Sequence, residues 1–429
     1  MVSPARQVCY ELLRRIEARR VFSDDALHSR DMARLDVRDR HLATEIVYGS
    51  LRWQGSLDYV LAAASSRPWQ DVAPEVRILL RMSLYQLWRM DRIPDHALVN
   101  DSVDLAKREG KGIDRYVNAV LRRLARTRPW EEPGFMLKAP PWVQVSLPGW
   151  LWERWSMRYG PKAAHDFALS LTLPPRAAVR LDQKLEKAAR SGFTASDLVP
   201  GAFFKVSPEA DEEAGAIRLF DYQDEASQLI PHLLGPVQGC RIWDACAAPG
   251  GKYAILRRKC DERGSVIASD RSAARMRRLV ESIGESGAKP DALIADAGKP
   301  APFRGCFDAV LADVPCSGLG TLRRNPEIKW HFRPEQLIPH AKTQRRILDA
   351  VAETVRAGGY LLYSTCSTEP EENEQIVESF LDANPAFILE RPRHPEGIES
   401  WTGRDDMVRT FPASRIWDGF FAALLRRRE

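Results

Sequence analysis

Apolar positions recur at helical spacing through the first third of the chain. Ser3-Pro4 reads as an N-cap with proline at the first helical position, and Val8, Leu12, Leu13 and Ile16 then share one face. The same period returns over 40–61, 76–90 and 98–124 with no alternating segment between them, which predicts an all-helical domain over 1–130. Pro129, Pro133, Pro140 and Pro141 mark a linker, because proline removes a donor and favours extended chain. A helix carrying Trp142, Trp150, Trp152 and Trp155 follows, with its tryptophans expected in a core. Short strand-like runs at 177–181 and 202–206 flank a helical run at 186–191, which predicts a small α+β subdomain over 141–220.

From Gly239 the pattern changes. Apolar runs at 241–244, 265–270, 292–296, 307–313 and 359–366 read as strands, with helical segments in each gap. Strands alternating with helices predict a mostly parallel, doubly wound α/β sheet of Rossmann-like type, here within a third domain over 221–429. The last apolar run, 419–425, is expected to add an edge strand before the basic tail 426–428. Such sheets carry their chemistry outside the carboxyl ends of the strands.

Composition narrows the setting. A chain of 429 residues exceeds one ordinary core, and about two to three domains are expected. The net charge of +5 is a mild bias toward polyanions. Arg108, Lys111, Arg115, Arg122, Arg123, Arg126 and Arg128 gather at the end of the helical domain, as a nucleic-acid contact or as a solubilising surface. The seven cysteines are scattered without a CxxC pair, which argues against disulfides and a zinc ribbon and leaves single thiols as core fillers or nucleophiles. No metal site is expected. The N-terminus resembles no signal peptide, and no apolar run approaches the roughly 18 residues of a membrane span, so a cytosolic protein without membrane contact is expected.

The strand ends hold the candidate chemistry. After the first strand come Cys246, Ala247, Ala248, Pro249, Gly250, Gly251 and Lys252, small residues that let backbone amides approach a ligand at a helix N-terminus. This is neither a Walker loop, since Tyr253 replaces the magnesium-holding Ser/Thr, nor GxGxxG, which weakens a nicotinamide reading. Asp270 ends the second strand, placed for ribose hydroxyls, and Asp296 ends the third, placed for a base edge; singly, each also suits a helix N-cap. Together with Asp244 and Asp313 the set suits S-adenosylmethionine. Asp313-Val314-Pro315-Cys316 and Ser364-Thr365-Cys366 bring two thiols to the ends of the fourth and fifth strands. Arg323, Arg324, Lys329 and Trp330, just beyond Cys316, suit contact with a phosphate backbone and stacking on a base, or else a salt-bridged loop.

Three strings, DACAAPGGK, DVPCSGLGTLRRNPEIKW and YSTCSTEPEENE, closely resemble the motifs of the RNA cytosine-5 methyltransferases of the NOL1/NOP2/Sun group. The resemblance extends to Tyr222-Gln223-Asp224-Glu225-Ala226-Ser227 and to Gly419-Phe420-Phe421. DRHLATEIVYGSLRWQGSLDYVL and LVNDSVDLAKREGKGIDRYVNAVLRRL look like the NusB-type RNA-binding fold, so it covers nearly the whole chain. Departures are Tyr253 for threonine, Val314 for alanine, and Arg180-Leu181-Asp182 for Arg-Val-Asn.

The resemblance implies a class I S-adenosylmethionine-dependent methyltransferase that makes 5-methylcytosine in 16S ribosomal RNA, protein-free or early in assembly, and acts as a monomer. It implies Cys366 as the nucleophile that adds to cytosine C6, Asp313 at the N3/N4 edge, and Cys316 as the base of product release. The residues alone leave the nucleophile open, because DNA cytosine methyltransferases use the thiol of a Pro-Cys pair. A transfer-RNA enzyme is the alternative within the class, and a non-catalytic RNA-binding or antitermination module the alternative outside it.

Overall fold

Residues 2–90, 93–181, 192–206, 220–284, 289–301, 303, 306–411 and 417–429 are described in the computed structural model. They divide into two units, Met1–Pro174 with Leu322–Phe332, and Pro175–Thr321 with Arg333–Glu429.

In the first unit the helical period holds. Pro4–Glu17 buries Cys9, Leu12, Leu13 and Ile16. Helices Val37–Arg52, Gln54–Ala64, Pro74–Arg89, Asp95–Ala106 and Ile113–Thr127 contribute to the same core. Asp36 caps Val37–Arg52 by accepting from the Asp39 amide at 2.7 Å. Ile113–Thr127 buries Tyr116, Val117, Val120, Leu121 and Leu124 and leaves Arg115, Arg122, Arg123 and Arg126 exposed.

The stretch after the prolines, expected to open the α+β subdomain, belongs to this unit as far as Pro174. Ser56 Oγ donates to the Val143 carbonyl at 2.6 Å, and the Gly55 amide donates to Ser146 Oγ at 2.9 Å. These bonds tie it to Gln54–Ala64. Trp152 and Trp155 are buried, as a core reading of the tryptophans requires, and Trp155 packs edge-on against Phe167.

Leu322–Phe332 also joins the first unit, and it departs from expectation. Lys329 is 1% exposed, and its Nζ donates to the carbonyls of Arg52 (2.9 Å) and Ser146 (2.7 Å). Trp330 Nε1 donates to the Leu51 carbonyl at 2.7 Å, and buried Arg323 reaches Ser170 Oγ at 3.2 Å. Buried Glu327 accepts from the Ser23 amide (3.0 Å) and hydroxyl (2.7 Å). The helix ends of this unit leave backbone groups without helical partners, and the strap satisfies them. Arg323, Lys329 and Trp330 are therefore turned into protein rather than toward an RNA backbone, while Arg324 is half-buried.

The second unit holds two sheets. Strands β1 (Ala178–Leu181), β2 (Phe193–Ala195), β3 (Ala202–Lys205) and β4 (Phe220–Tyr222) form an antiparallel sheet in the order β2-β3-β1-β4. Arg180 pairs with Asp221 at 2.6 Å across β1 and β4. Asp182 and the helical run 186–191 lie outside the described residues.

The larger sheet contains β5 (Arg241–Asp244), β6 (Ser265–Asp270), β7 (Asp291–Ile294), β8 (Phe307–Asp313), β9 (Val355–Thr365), β10 (Phe387–Glu390), β11 (Val408–Arg409) and β12 (Phe421–Arg427). Its order is β10-β12-β9-β8-β5-β6-β7, with β11 beside β12. Pairing is parallel from β9 to β7 and antiparallel around β12. Both faces are covered: Ala309 and Leu311 of β8 enter one core, Val310 and Ala312 the other. Strands buried on both sides read as unbroken apolar runs, which is why they stood out. The final run is not an edge strand. β12 sits between β9 and β10, with Ala422 and Leu424 in one core and Phe421, Ala423 and Leu425 in the other.

Burial, and then the neighbouring Arg52 charge, lower the Lys329 pKa to about 7. Between that value and the ordinary lysine range, the unfolded chain binds a proton that the folded chain does not. Stability from this group therefore rises with pH there, and below about 7 its burial cost is fully felt. Relative to Lys329→Met, the wild type should gain about 1–2 kcal/mol in denaturant-unfolding stability between pH 7 and about pH 9.

Candidate active site

The strand order places the carboxyl ends of β6, β5, β8 and β9 side by side, and the candidate residues collect there. Asp244 ends β5 fully buried, and both its carboxylate oxygens lack a hydrogen-bond partner. Burial and then the Asp313 charge push its pKa up to about 8.

The loop after β5 is tied down by its own amides. Ala245 N donates to the Leu311 carbonyl at 2.9 Å and Ala247 N to the Ser269 carbonyl at 2.8 Å. Burial and the Asp244 charge push the Cys246 thiol up, so it stays protonated. Helix Gly251–Cys260 begins directly after Gly250. Gly250 has φ +115°, and a Cβ at Gly251 would lie 2.7 Å from Gln223 Oε1. That oxygen is buried without a partner, so Gln223 and Asp244 leave unsatisfied acceptors around the loop.

Asp270, at the end of β6, is 4% exposed, accepts from the Ser272 amide at 2.8 Å and faces Arg275 at 3.3 Å. Asp296 is half-buried just beyond β7 and accepts from the Gly298 amide at 3.0 Å. Each acid thus shapes the turn that follows it and keeps further acceptor capacity.

Asp313 ends β8 and takes a donor on each oxygen, Ser364 Oγ at 2.8 Å and Lys252 Nζ at 2.7 Å. Burial works against the Lys252 ammonium. Asp313, Cys366 and Asp244 outweigh it and hold the lysine pKa above the usual range.

Beyond these residues the two thiols meet, with Cys316 Sγ 3.2 Å from Cys366 Sγ. The hydrogen bond to Cys366, burial, and the charges of Cys366 and Glu372 raise the Cys316 pKa well above that of an ordinary thiol. Gly320 N donates to the Cys366 carbonyl at 2.9 Å, and Gly419 N to the Gly320 carbonyl at 2.7 Å.

The structure therefore gathers Lys252, Asp313, Cys316 and Cys366, with Asp244, Asp270 and the 246–252 loop on neighbouring strand ends. Among the described residues, no group of three or more His, Cys, Asp or Glu is arranged for a metal ion. No helix among them is long and apolar enough to cross a membrane. Sequence reasoning missed Ser364, Gln223 and Glu372. All three lay inside motif strings already singled out, but nothing local separates them from their polar neighbours.

Comparison with known proteins gives two family matches, the 16S rRNA methyltransferase RsmB/F family over residues 231–426 and the NusB family over 3–126. The chain is 32% identical to the probable ribosomal RNA small subunit methyltransferase B of Bacillus subtilis (strain 168), over 99% of this chain and 98% of that protein. It is 34% identical to ribosomal RNA small subunit methyltransferase B of Thermus thermophilus, covering 91% and 89%. The crystal structure of PH0851 matches with TM-score 0.79 at 25% identity, over 100% of this chain and 99% of that one. NSun6 from Pyrococcus horikoshii, solved with SFG, shares the fold with TM-score 0.56 at 20% identity, over 66% and 98%.

A Cβ on Gly320 would lie 1.8 Å from the Gly419 carbonyl oxygen, and backbone cannot yield as a flexible side chain can. Gly320→Ala should cost about 3 kcal/mol or more in denaturant unfolding. It should also expose Cys366 to faster alkylation.

Proposed function

This chain belongs to the RsmB/F family of 16S ribosomal RNA methyltransferases, and on that premise we propose that it methylates C5 of a cytidine in 16S RNA through a covalent bond from Cys366 to C6. The observation that carries the reading is the pair of thiols 3.2 Å apart beside the Lys252–Asp313 ion pair. The methyl donor is S-adenosyl-L-methionine. The unpartnered oxygens of Asp244 and Gln223 and the glycine cradle at 250–251 fit its cationic amino-acid end. Asp270 would take the ribose hydroxyls, Asp296 the base edge, and amides of the 246–252 loop other than that of Ala247, which is committed to Ser269, the carboxylate. Bound there, the cofactor supplies an electrophilic methyl group on sulfur.

Cytosine C5 is a weak nucleophile until a group adds to C6. The Cys366 thiolate forms the S–C6 bond, the C5–C6 π electrons move into the ring toward N3, and C5 becomes the attacking carbon. Asp313 accepts from the N4 amino group and favours protonation at N3, lowering the barrier to addition. Lys252 and Ser364 hold its carboxylate at fixed orientation for that task.

Once Cys366 is bonded to C6 the Cys316 proton passes to water, and after methyl transfer the Cys316 thiolate takes the C5 proton, directly or through water. The C5–H electrons re-form the double bond and expel Cys366. Two features support this division of labour. The Lys252 ammonium is stabilised by negative charge on Cys366. Cys316, whose proton is held chiefly by its hydrogen bond to Cys366, has a raised pKa, so its thiolate once formed is a strong base. The target base must leave its stack to reach these groups, which favours RNA that is protein-free or early in assembly. A cytoplasmic site of action follows from that substrate.

Cys366→Ala should abolish transfer of labelled methyl groups to protein-free 16S RNA; retained activity would remove Cys366 as nucleophile. In Cys316→Ala a protein–RNA adduct should survive a denaturing gel and vanish in the double variant. An adduct that needs Cys316 would exchange the two roles, and labelling of transfer RNA instead would replace the substrate. Lys252→Met should lower kcat about 100-fold, read under saturating RNA and cofactor.

A further inference from the structure

Glu372 lies in the turn Pro370–Glu372 just beyond β9, and its side chain is fully buried. Among the described residues no lysine or arginine pairs with it. Its charge is met by neutral donors alone. Oε1 accepts from the Ser317 amide at 2.8 Å and Gln344 Nε2 at 2.9 Å, while Oε2 accepts from the hydroxyls of Ser317 and Ser367. Ser317 and Ser367 are the residues that follow Cys316 and Cys366. Removing a carboxylate from water without a countercharge is expensive, so the position demands a reason.

The donors show what that reason is. Leu319 N donates to Ser317 Oγ at 3.4 Å and Glu369 N to Ser367 Oγ at 3.1 Å, so each serine accepts from backbone and turns its own proton toward Glu372. Gln344 spans the same place, giving one proton to Glu372 and the other to the Pro315 carbonyl at 3.1 Å. Asn373 finishes the bracket, accepting from Thr365 Oγ1 at 2.6 Å and donating to the Ser367 carbonyl at 2.9 Å. The residues flanking both thiols are therefore held through one carboxylate and its two immediate supports.

We propose that Glu372 is the positioning residue of the thiol pair, an acceptor-only clamp that joins the loop after β8 to the loop after β9 and fixes the Cys316–Cys366 separation. The assignment of a task to that separation rests on the function proposed above; the clamp itself does not. An isosteric amide cannot replace the carboxylate. With its oxygen toward the serines, a glutamine sets its NH₂ against the Ser317 amide and Gln344. With the NH₂ toward the serines, it leaves both hydroxyl protons without the acceptor they had on the carboxylate. Glu372 also places fixed negative charge beside Cys316, whose other titratable neighbours are Cys366 and Tyr363.

The test pairs turnover with a thiol readout that needs no methyl transfer. Glu372→Gln should lower kcat for 16S RNA at least about tenfold while KM for RNA and cofactor stays within about twofold, and Ser367→Ala, which keeps the carboxylate, should lose about threefold. In a Cys366→Ala background, iodoacetamide should alkylate Cys316 at lower pH once Glu372→Gln removes the negative charge. Glu372→Asp should restore the profile without restoring kcat, because the shorter chain cannot span both serines. Unchanged kcat in Glu372→Gln and Ser367→Ala, a change confined to KM, or an unmoved alkylation profile would each overturn the clamp. If the profile moves as expected but Cys366→Ala still methylates RNA, the clamp stands and the proposed chemistry falls.

Discussion

Parallel pairing of β8 with β9 brings Asp313 opposite Ser364, and the site is built outward from that register. A slip of one residue would turn every side chain to the opposite face. The register is protected by packing, since both strands are buried on both faces and are flanked by β5 and β12. With Asp313 and Ser364 aligned, the serine hydroxyl reaches the carboxylate, Lys252 closes on its other oxygen, and the two chains leave the sheet together. The thiols then meet just beyond the strand ends, Cys316 after Asp313 of β8 and Cys366 directly after Thr365 of β9, close enough to share a proton.

What leaves the sheet must be held without a ladder, and the loops use three devices. Gly320 and Gly419 let backbone approach backbone where no Cβ fits. Glu372 gathers the donors of both cysteine loops. The chain beyond Thr321 then becomes part of the helical unit from Leu322 to Phe332, where Lys329, Trp330 and Glu327 take backbone groups that the helices leave open. A lysine buried on two carbonyls and an aromatic ring, with no carboxylate beside it among the described residues, is costly, and burial lowers its pKa.

The strands and helices were legible because each buries a continuous run or a regular face. The strand-end residues were legible because an α/β sheet puts its chemistry there, so Asp313, Cys316, Cys366 and the 246–252 loop came out of position and residue type. Lys329 and Arg323 did not. A basic residue beside a reactive thiol reads as a ligand contact, and the carbonyls and hydroxyl that bury these two come from Arg52, Ser146 and Ser170, far away in sequence. β12 was misplaced for a related reason: an apolar run shows that a strand is covered, not which strands lie beside it. Glu372 stood among Glu369, Glu371 and Glu374, and only packing separates the one that holds two serines from the others.

Charge distribution completes the argument. Asp244, Asp270 and Asp313 end three adjacent strands, and one lysine and one arginine answer them directly. Lys252 is committed to Asp313, so Asp244 keeps its two oxygens unpartnered and a pKa near 8, where a proton stands in for the missing cation. On the function proposed above, a cationic amino-acid end entering this corner would supply that charge, and the desolvation already suffered by Asp244 would become binding strength rather than a penalty. The same lysine that steadies Asp313 also carries favourable interaction with Cys366. One ammonium thus answers both the Asp313 carboxylate and the Cys366 sulfur, while Glu372 lies beside Cys316 and biases that thiol toward keeping its proton. The two identical side chains therefore stand in unequal electrostatic surroundings.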